Sequence, residues 1–252
     1  MQFEGQSILL AVLLALGMIV LAEWGAASSR KAVTETGGSG GIVESSIFAL
    51  LGLLLAFAFT GAAARLDARR DLVIDEANAL GTAALRLDLL PDPTLARQSL
   101  SAYIDTRLTY GKILSRQGSL SAAWSACQKA QNDLWQVVLI SGDTTDINHG
   151  EALILPPLND AFGLASKRHV MVNVHLPWPV EALLTSLALL CAWLGGRTLH
   201  GGDKGARLVR GALAIVIAAT ILLIKDLDHP RLGFIRVDAS DQLLRDVQDG
   251  LK

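Results

Sequence analysis

The sequence predicts an all-α membrane protein with four transmembrane helices and an extramembrane helical domain between the second and the third. Two observations predict this class. Hydrophobic residues make up 51% of the 252 residues and charged residues only 18%, which is more apolar than a soluble domain usually is. Four apolar stretches also approach the roughly 20 residues that a helix needs to cross the hydrocarbon core of a bilayer.

The first segment, residues 1–64, holds two of these stretches. Residues 7–22 form the first, and Trp24 follows it, where an aromatic ring suits the headgroup level. A cleaved signal peptide is the alternative, but Glu4 precedes the apolar run where such a peptide carries basic residues. Residues 26–41 are glycine-rich and lack the Lys-Ser/Thr ending of a phosphate-binding loop, so we interpret them as a flexible linker.

The second stretch, residues 42–64, carries small residues at spacings of three and four, which places them on one helix face. They are Ser45, Ala49, Gly52, Ala56, Thr60 and Ala63. Packing within one subunit and a role at a pore or an oligomer contact are both open. The sequence contains no proline from residue 42 to residue 90, so the helix is predicted to continue for about 70 Å until Pro91 and Pro93 end it.

The second segment, residues 65–177, is predicted to form the extramembrane domain. About three amphipathic helices follow Pro93, because apolar residues recur at helical spacing, as in the stripe of Leu100, Ile104 and Leu108. The Pro156-Pro157 pair is interpreted as a boundary, with a last helix over residues 158–174.

Residues 178–225 contain the third and fourth spans, predicted at 179–196 and 208–224, and residues 226–252 form a polar C-terminal tail. Basic residues flank both sides of the four spans in almost equal number. Since long domains cross a membrane regardless of charge, we favour an N-terminus outside, with the two short loops in the cytoplasm.

The helix after the second span has one polar face, formed by Asp67, Asp71, Asp75, Asn78 and Thr82, with Arg65, Arg69 and Glu76 on neighbouring faces. A solvated helix with exposed ion pairs explains this pattern. A charged vestibule at a pore mouth explains it equally well, because rings of carboxylates or guanidiniums select ions by sign. The candidates are Asp67, Arg69, Arg70, Glu76 and Asn78.

A second polar cluster follows the fourth span directly and contains Asp226, Asp228, Pro230 and Arg231. Its carboxylates are predicted to pair with the arginines after the second span. We interpret this turn as an interfacial latch, with a gating role as the alternative.

Other classes of function find no support in the sequence. The net charge is −2, with 22 basic and 24 acidic residues interleaved, so no nucleic-acid partner is expected. Two distant cysteines and isolated histidines predict neither a disulfide nor a metal site. Without a nucleophile elbow, a dinucleotide fingerprint or a Walker motif, we expect no cofactor, no catalytic residue and no enzyme activity.

Two motifs carry a resemblance to a known family. The segment LLGLLLAFAFTGAAARLDARRDLVIDEANALGTAALRLDLLP, together with DLDHPRLGFIRV near the C-terminus, resembles the bacterial bestrophin-like family of unknown function. The likeness covers nearly the whole chain. Because bestrophins are pentameric anion channels with aromatic or apolar constrictions, it implies a pore in the bacterial inner membrane, with Phe48, Phe57 and Phe59 as candidates for a constriction. Contact with lipid or packing within the membrane is the alternative for these phenylalanines, and we favour it.

We therefore expect a homo-oligomeric channel or pore, with membrane lipid and inorganic ions as partners, and the resemblance to bestrophins implies anions. Its pore candidates in the second span are Phe48, Gly52, Ala56 and Phe59. The alternative from another class is a non-conducting scaffold or sensor whose helical domain binds a partner or ligand. An intramembrane enzyme is a third hypothesis, which no arrangement of catalytic residues in the sequence supports.

Overall fold

A computed structural model describes residues 2–30, 40–115, 119–142, 150–199, 204–229 and 241–251. Within these ranges the chain is helical throughout apart from short turns, which confirms the all-α prediction. The helices are α1 (Gln2–Arg30), α2 (Gly40–Arg86), α3 (Thr94–Ser115), α4 (Leu120–Gly142), α5 (Gly150–Met171), α6 (Trp178–Thr198), α7 (Lys204–Asp228) and α8 (Asp241–Asp249). A 3-10 turn, Leu87–Leu89, follows α2.

Four helices are long and apolar enough to cross a membrane, which confirms the predicted spans. They are Ser7–Ser29, Gly41–Leu89, Trp178–Thr198 and Lys204–Asp228. The predicted long second helix is also confirmed, since α2 runs unbroken for 47 residues. The chain is therefore a multi-pass membrane protein.

The first of two compact units comprises Met1–Arg65 and His175–Phe234 and contains α1, the first part of α2, α6 and α7. Glycines let α1 and α6 pack backbone to backbone: a Cβ on Gly25 would overlap the carbonyl oxygen of Trp193, and one on Gly196 would overlap that of Ala22. Around this contact the core is apolar, formed by Met18, Leu51, Ala188, Cys191, Ala192, Ala214 and Ile217.

The second unit comprises Leu66–Val174 and Ile235–Lys252 and contains the second part of α2 with α3, α4, α5 and α8. Its core is larger than that of the first unit and includes Leu80, Leu100, Tyr103, Ile104, Leu134 and Leu158. These residues recur every three or four positions along their helices, so the predicted apolar stripes are its inner faces.

The C-terminal segment differs from the predicted polar tail, because part of it forms α8 and packs into the second unit. Leu244 is fully buried, Val247 lies against Gly81, and the Gln248 amide donates to the Asp105 carboxylate at 2.8 Å. The spacing of Leu244, Val247 and Leu251 is that of an amphipathic helix and was the available signal.

The prediction of a boundary at Pro156-Pro157 is wrong, because both prolines lie inside α5. Proline has no N–H, so Pro157 leaves the carbonyl of Leu153, four residues earlier, without its helical donor. The Arg86 guanidinium supplies that donor from α2, with Nη1 2.6 Å from the Leu153 oxygen.

Candidate functional site

The first part of α2 carries most of the candidate pore residues. Gly52, Ala56 and Phe59 are exposed, and no atom lies within 4 Å of the position that a Cβ on Gly52 would take. Along the same face Ser45, Ala49 and Thr60 are exposed as well. The small-residue stripe is therefore not used for packing within the first unit.

Phe48 is less exposed than these residues, in agreement with the packing alternative. Its side chain is partly buried in the core of the first unit, and its ring lies 3.3 Å from where a Cβ on Gly195 would be. The glycine of α6 leaves space that the ring fills. Phe48 is therefore a packing residue in this chain.

The polar face of α2 in the second unit is open. Asp67, Asp71, Asp75 and Asn78 are exposed, as their helical spacing predicted. Arg70 is half-buried, and its guanidinium lies 3.7 Å from the Asp67 carboxylate, an exposed pair of small energetic value. The face thus presents mainly carboxylates to its surroundings.

Glu76 lies apart from that face, and its expected position at an open vestibule is not what the structure shows. Its side chain is fully buried. Arg107 of α3 donates to both carboxylate oxygens, from Nε at 2.6 Å and from Nη2 at 3.0 Å. Arg168 of α5 donates to the same carboxylate. The result is a buried ion triad that joins α2, α3 and α5.

The helical register explains this burial. Glu76 lies one position beyond Asp75, about 100° further round the helix, and shares its side with the buried Val73, Ala77 and Leu80. An acidic residue among buried apolar positions needs a cationic partner. Sequence reasoning missed both arginines, because no spacing along the chain relates residues on three separate helices.

Three aromatic rings extend the triad inside the second unit. His169 stacks on Trp124 with ring centroids 4.2 Å apart, and its Nδ1 lies 2.8 Å from the Tyr110 hydroxyl. The Arg107 guanidinium lies 5.4 Å from the centre of the Tyr110 ring. Burial lowers the pKa of His169 below 6.5, and the positive charge of Arg107 lowers it further. His169 is therefore a packing residue whose neutral form is favoured.

Arg69 of α2 is also engaged within the second unit. Its Nη2 donates to the carbonyl of Val174 at 2.7 Å and to that of Met171 at 3.4 Å. Carbonyls at a helix C-terminus have no helical donors, and a guanidinium beside them is favourable. Arg69 is thus placed at the end of α5, whereas the sequence suggested a vestibule.

The cluster after the fourth span pairs with an arginine of the second helix, as predicted. Arg65 Nε lies 2.6 Å from the Asp228 carboxylate, whose other oxygen accepts from the backbone N–H of Leu176 at 2.6 Å. Asp226 is buried beside it. Pro230 and Arg231 lie outside the described residues. Within the first unit, Asp228 therefore connects the middle of α2 and the end of α7 with the residues just before α6.

Metal binding finds no candidate among the described residues, where no group of three histidine, cysteine or acidic side chains is arranged to hold an ion. Cys127 and Cys191 are both buried and unpaired with each other.

Comparison with known proteins gives a family and a fold. A family model described as "Bestrophin-like domain" matches residues 8–242. A crystal structure of a bacterial bestrophin homolog from Klebsiella pneumoniae has a TM-score of 0.74 at 14% identity, covering 96% of this chain and 98% of that one. A mutant of that homolog has a TM-score of 0.73 at 14% identity, covering 98% of each chain. No curated protein matches the sequence.

Proposed function

Because this chain belongs to the bestrophin-like family, we propose that it is a homo-oligomeric ion channel in which α2 contributes the pore face. The observation that carries the proposal is a strip of small residues on the exposed side of α2, which lies beside the exposed Leu50, Leu53 and Phe57. A single chain leaves small and hydroxyl-bearing residues uncovered there.

The contrast with α1 gives this observation its weight. The exposed residues of α1 are large aliphatic side chains such as Leu9, Leu13 and Val20, which suit contact with lipid tails. Exposed Gly52, Ala56 and Thr60 offer little apolar surface to lipid. Small residues permit close approach of a helix from a second copy, or leave room for water and ions on an axis.

The sign of the conducted ion follows from the charged part of α2. The resemblance to bestrophins implied anions, which cationic groups at a pore mouth favour. Arg65 and Arg69 are engaged with Asp228 and with the end of α5, whereas Asp67, Asp71 and Asp75 are exposed. Carboxylate rings favour cations. We therefore propose a preference for cations, with anion conduction as the alternative outcome of the same experiment.

The test is planar-bilayer recording of the purified protein in asymmetric potassium chloride, with the mass of the oligomer determined in detergent beforehand. We expect single-channel steps and a reversal potential near that of potassium. Asp71→Asn should reduce the cation preference. Asp133→Asn, which changes an exposed carboxylate on α4, is the matched control and should leave the preference unchanged.

A non-conducting scaffold or sensor is the second candidate, and one observation favours it. An open groove runs between α2 and α5 in the second unit, lined by Ala68, Leu72, Lys167 and Val170 among others. Such a concavity suits a partner or a small ligand. A well-folded oligomer that stays silent across voltages, but binds a partner through this groove, would favour the scaffold over the channel.

We further place the protein in the inner membrane of a bacterium, with its N-terminus outside, and we propose that it has no catalytic activity. The orientation rests on the distribution of Arg30, Lys31, Arg197 and other basic residues around the spans. Cysteine labelling at Glu44 and Lys112, from each side of the membrane, would test it.

A further inference from the structure

The first unit contains a cavity between α1, α6 and α7, with a volume of about 200 Å³. Its apolar lining includes Leu10 and Leu14, which lie one turn apart on α1, together with Leu184 from α6 and Ile221 from α7. These side chains make its inner part apolar. It is independent of the exposed face of α2, so its role does not rest on the channel proposal.

One end of the cavity is charged. Glu181 in the first turn of α6 and Lys225 in the last turn of α7 both line it, with their charged atoms 3.9 Å apart. Both side chains are partly exposed, at 43% and 32%. Their contact is long for an ion pair, so both groups can bind further partners at little cost.

A third carboxylate in the lining, that of Asp228, is already neutralised by Arg65 at 2.6 Å. The charged end therefore holds one acid and one base in a loose mutual contact and has no net charge. It complements a ligand that carries both signs within a few ångströms. A purely anionic ligand would meet the Glu181 carboxylate beside Lys225 and be repelled.

Glu181 and Lys225 lie near the ends of two candidate membrane spans, where lipid headgroups are expected. Trp178, the first residue of α6, is 78% exposed, and exposed tryptophans mark the membrane interface. From Lys225 the cavity follows α7 to Ala218, which is seven residues or about 10 Å into the span. Polar and apolar parts are thus ordered as in a phospholipid, from the headgroup to the acyl chain.

The volume limits what can enter. Pockets for whole soluble ligands hold about 300–1,000 Å³, whereas an apolar cavity of about 150 Å³ accepts a single benzene. A space of about 200 Å³ accommodates one stretch of hydrocarbon but excludes a whole lipid or a nucleotide cofactor. The rest of the ligand must therefore lie outside the cavity. For a lipid, this remaining apolar part stays in the bilayer and is not exposed to water.

We propose that this cavity binds the upper part of one acyl chain of a zwitterionic phospholipid with a primary amine, of the phosphatidylethanolamine class. The lipid phosphate contacts Lys225, and the ammonium group donates to Glu181. A choline headgroup fits less well, because its quaternary nitrogen has no N–H to donate. The site selects this lipid by its headgroup and holds it by its chain.

The experiment is native mass spectrometry of the delipidated full-length protein in detergent, titrated separately with phosphatidylethanolamine, phosphatidylcholine and phosphatidylglycerol of identical acyl chains. The wild type should bind one phosphatidylethanolamine about tenfold more tightly than either of the other lipids, the ratio expected of one additional charge-assisted hydrogen bond. Equal affinity for the three lipids would overturn the proposal, since the acyl chain alone would then determine the affinity.

Three variants localise the site. Glu181→Gln should abolish the preference for phosphatidylethanolamine over phosphatidylcholine, and Lys225→Met should weaken binding of all three lipids. Lys204→Met removes an exposed lysine at the opposite end of α7 and should change nothing. If Glu181→Gln keeps the preference, the headgroup contact proposed here is wrong.

A fourth variant tests the acyl-chain part without touching a charge. Ala218 is buried in the cavity wall, and Ala218→Leu should fill the space and release the tightly bound lipid. Each variant is compared only if its helical circular dichroism and its elution from size exclusion match the wild type. Retention of the lipid by a folded Ala218→Leu variant would place its chain elsewhere and refute the assignment.

Discussion

Replacing Glu76 with glutamine should destabilise the second unit strongly, because two buried guanidinium groups would lose the carboxylate that they share. The Arg107 side chain is 1% exposed and the Arg168 side chain 11%, so solvent cannot take over the role of Glu76 for either group. Glutamine keeps the shape and one acceptor oxygen but removes the negative charge. The substitution therefore isolates electrostatics from packing.

The expected magnitude follows from the burial of all three groups. Removing one partner from a buried ion pair costs about 3–5 kcal/mol, since the remaining charge stays uncompensated. The slight exposure of Arg168 favours the lower end, and about 3 kcal/mol corresponds to more than a hundredfold change in an equilibrium constant. Arg107→Met should cost less, because Glu76 keeps Arg168.

Hydrogen exchange followed by mass spectrometry measures this locally in the full-length protein. Amides of α3 and α5 should exchange more than a hundredfold faster in Glu76→Gln than in the wild type, at a pH where exchange reports the opening equilibrium. Asp71→Asn is the matched control on the same helix, and its exposed carboxylate should contribute less than about 0.5 kcal/mol.

Equal exchange in the Glu76→Gln and Asp71→Asn variants would refute the reasoning. It would mean that water reaches the arginines in solution or that the triad opens without cost. A combined Glu76→Met and Arg107→Met variant gives a second check, because apolar replacement of both partners should recover part of the lost stability. Failure to recover would point to packing as the cause of the loss.

Three further outcomes are expected. Gly196→Ala should lower the free energy of unfolding by about 1–3 kcal/mol, and with it the unfolding temperature in detergent, because the new Cβ overlaps a backbone carbonyl. Gly211→Ala is the control: no atom lies within 4 Å of its new Cβ, so it should be neutral or slightly stabilising. Arg65→Met should cost about 3 kcal/mol, because the buried Asp228 carboxylate loses the positive charge of its guanidinium partner, whereas Arg70→Met should have no measurable effect on thermal unfolding. The folded-state pKa of His169 lies below 6.5, so on acidification the unfolded chain takes up a proton at this residue before the folded chain does. The free energy of unfolding should therefore fall as the pH drops through about 6.5. Denaturation at pH 7.5 and 5.5 measures this dependence, and His169→Phe should flatten it. An unchanged slope would exclude His169 as the titrating group.

Several elements of the fold were predictable because their signal is local. The four spans follow from the length of apolar runs, and the unbroken α2 follows from the absence of proline between residues 42 and 90. The exposure of Asp67, Asp71 and Asp75 follows from helical periodicity alone. The helix at Leu244 was missed although its spacing was visible, because a short polar segment was interpreted from composition only.

Other features had no signal along the chain. Pro156 and Pro157 indicate a break by local rules, but both lie inside α5, where Arg86, from a helix far away in sequence, donates to the carbonyl that Pro157 leaves without its helical donor. Glu76 is one position from the exposed face, and only the packing of α3 and α5 shows that its charge is directed inward.

The sequence by itself determined that this protein is a four-span, all-helical membrane protein with a polar face after its second span, since hydrophobicity and period are properties of consecutive residues. The tertiary structure decided which charges are exposed and which are paired, namely that Arg65, Arg69 and Glu76 are engaged while the aspartates of α2 are exposed. It also brought Glu181 and Lys225 to the mouth of one cavity. Such pairings depend on distances between helices, and helix periodicity fixes only the direction in which each side chain points.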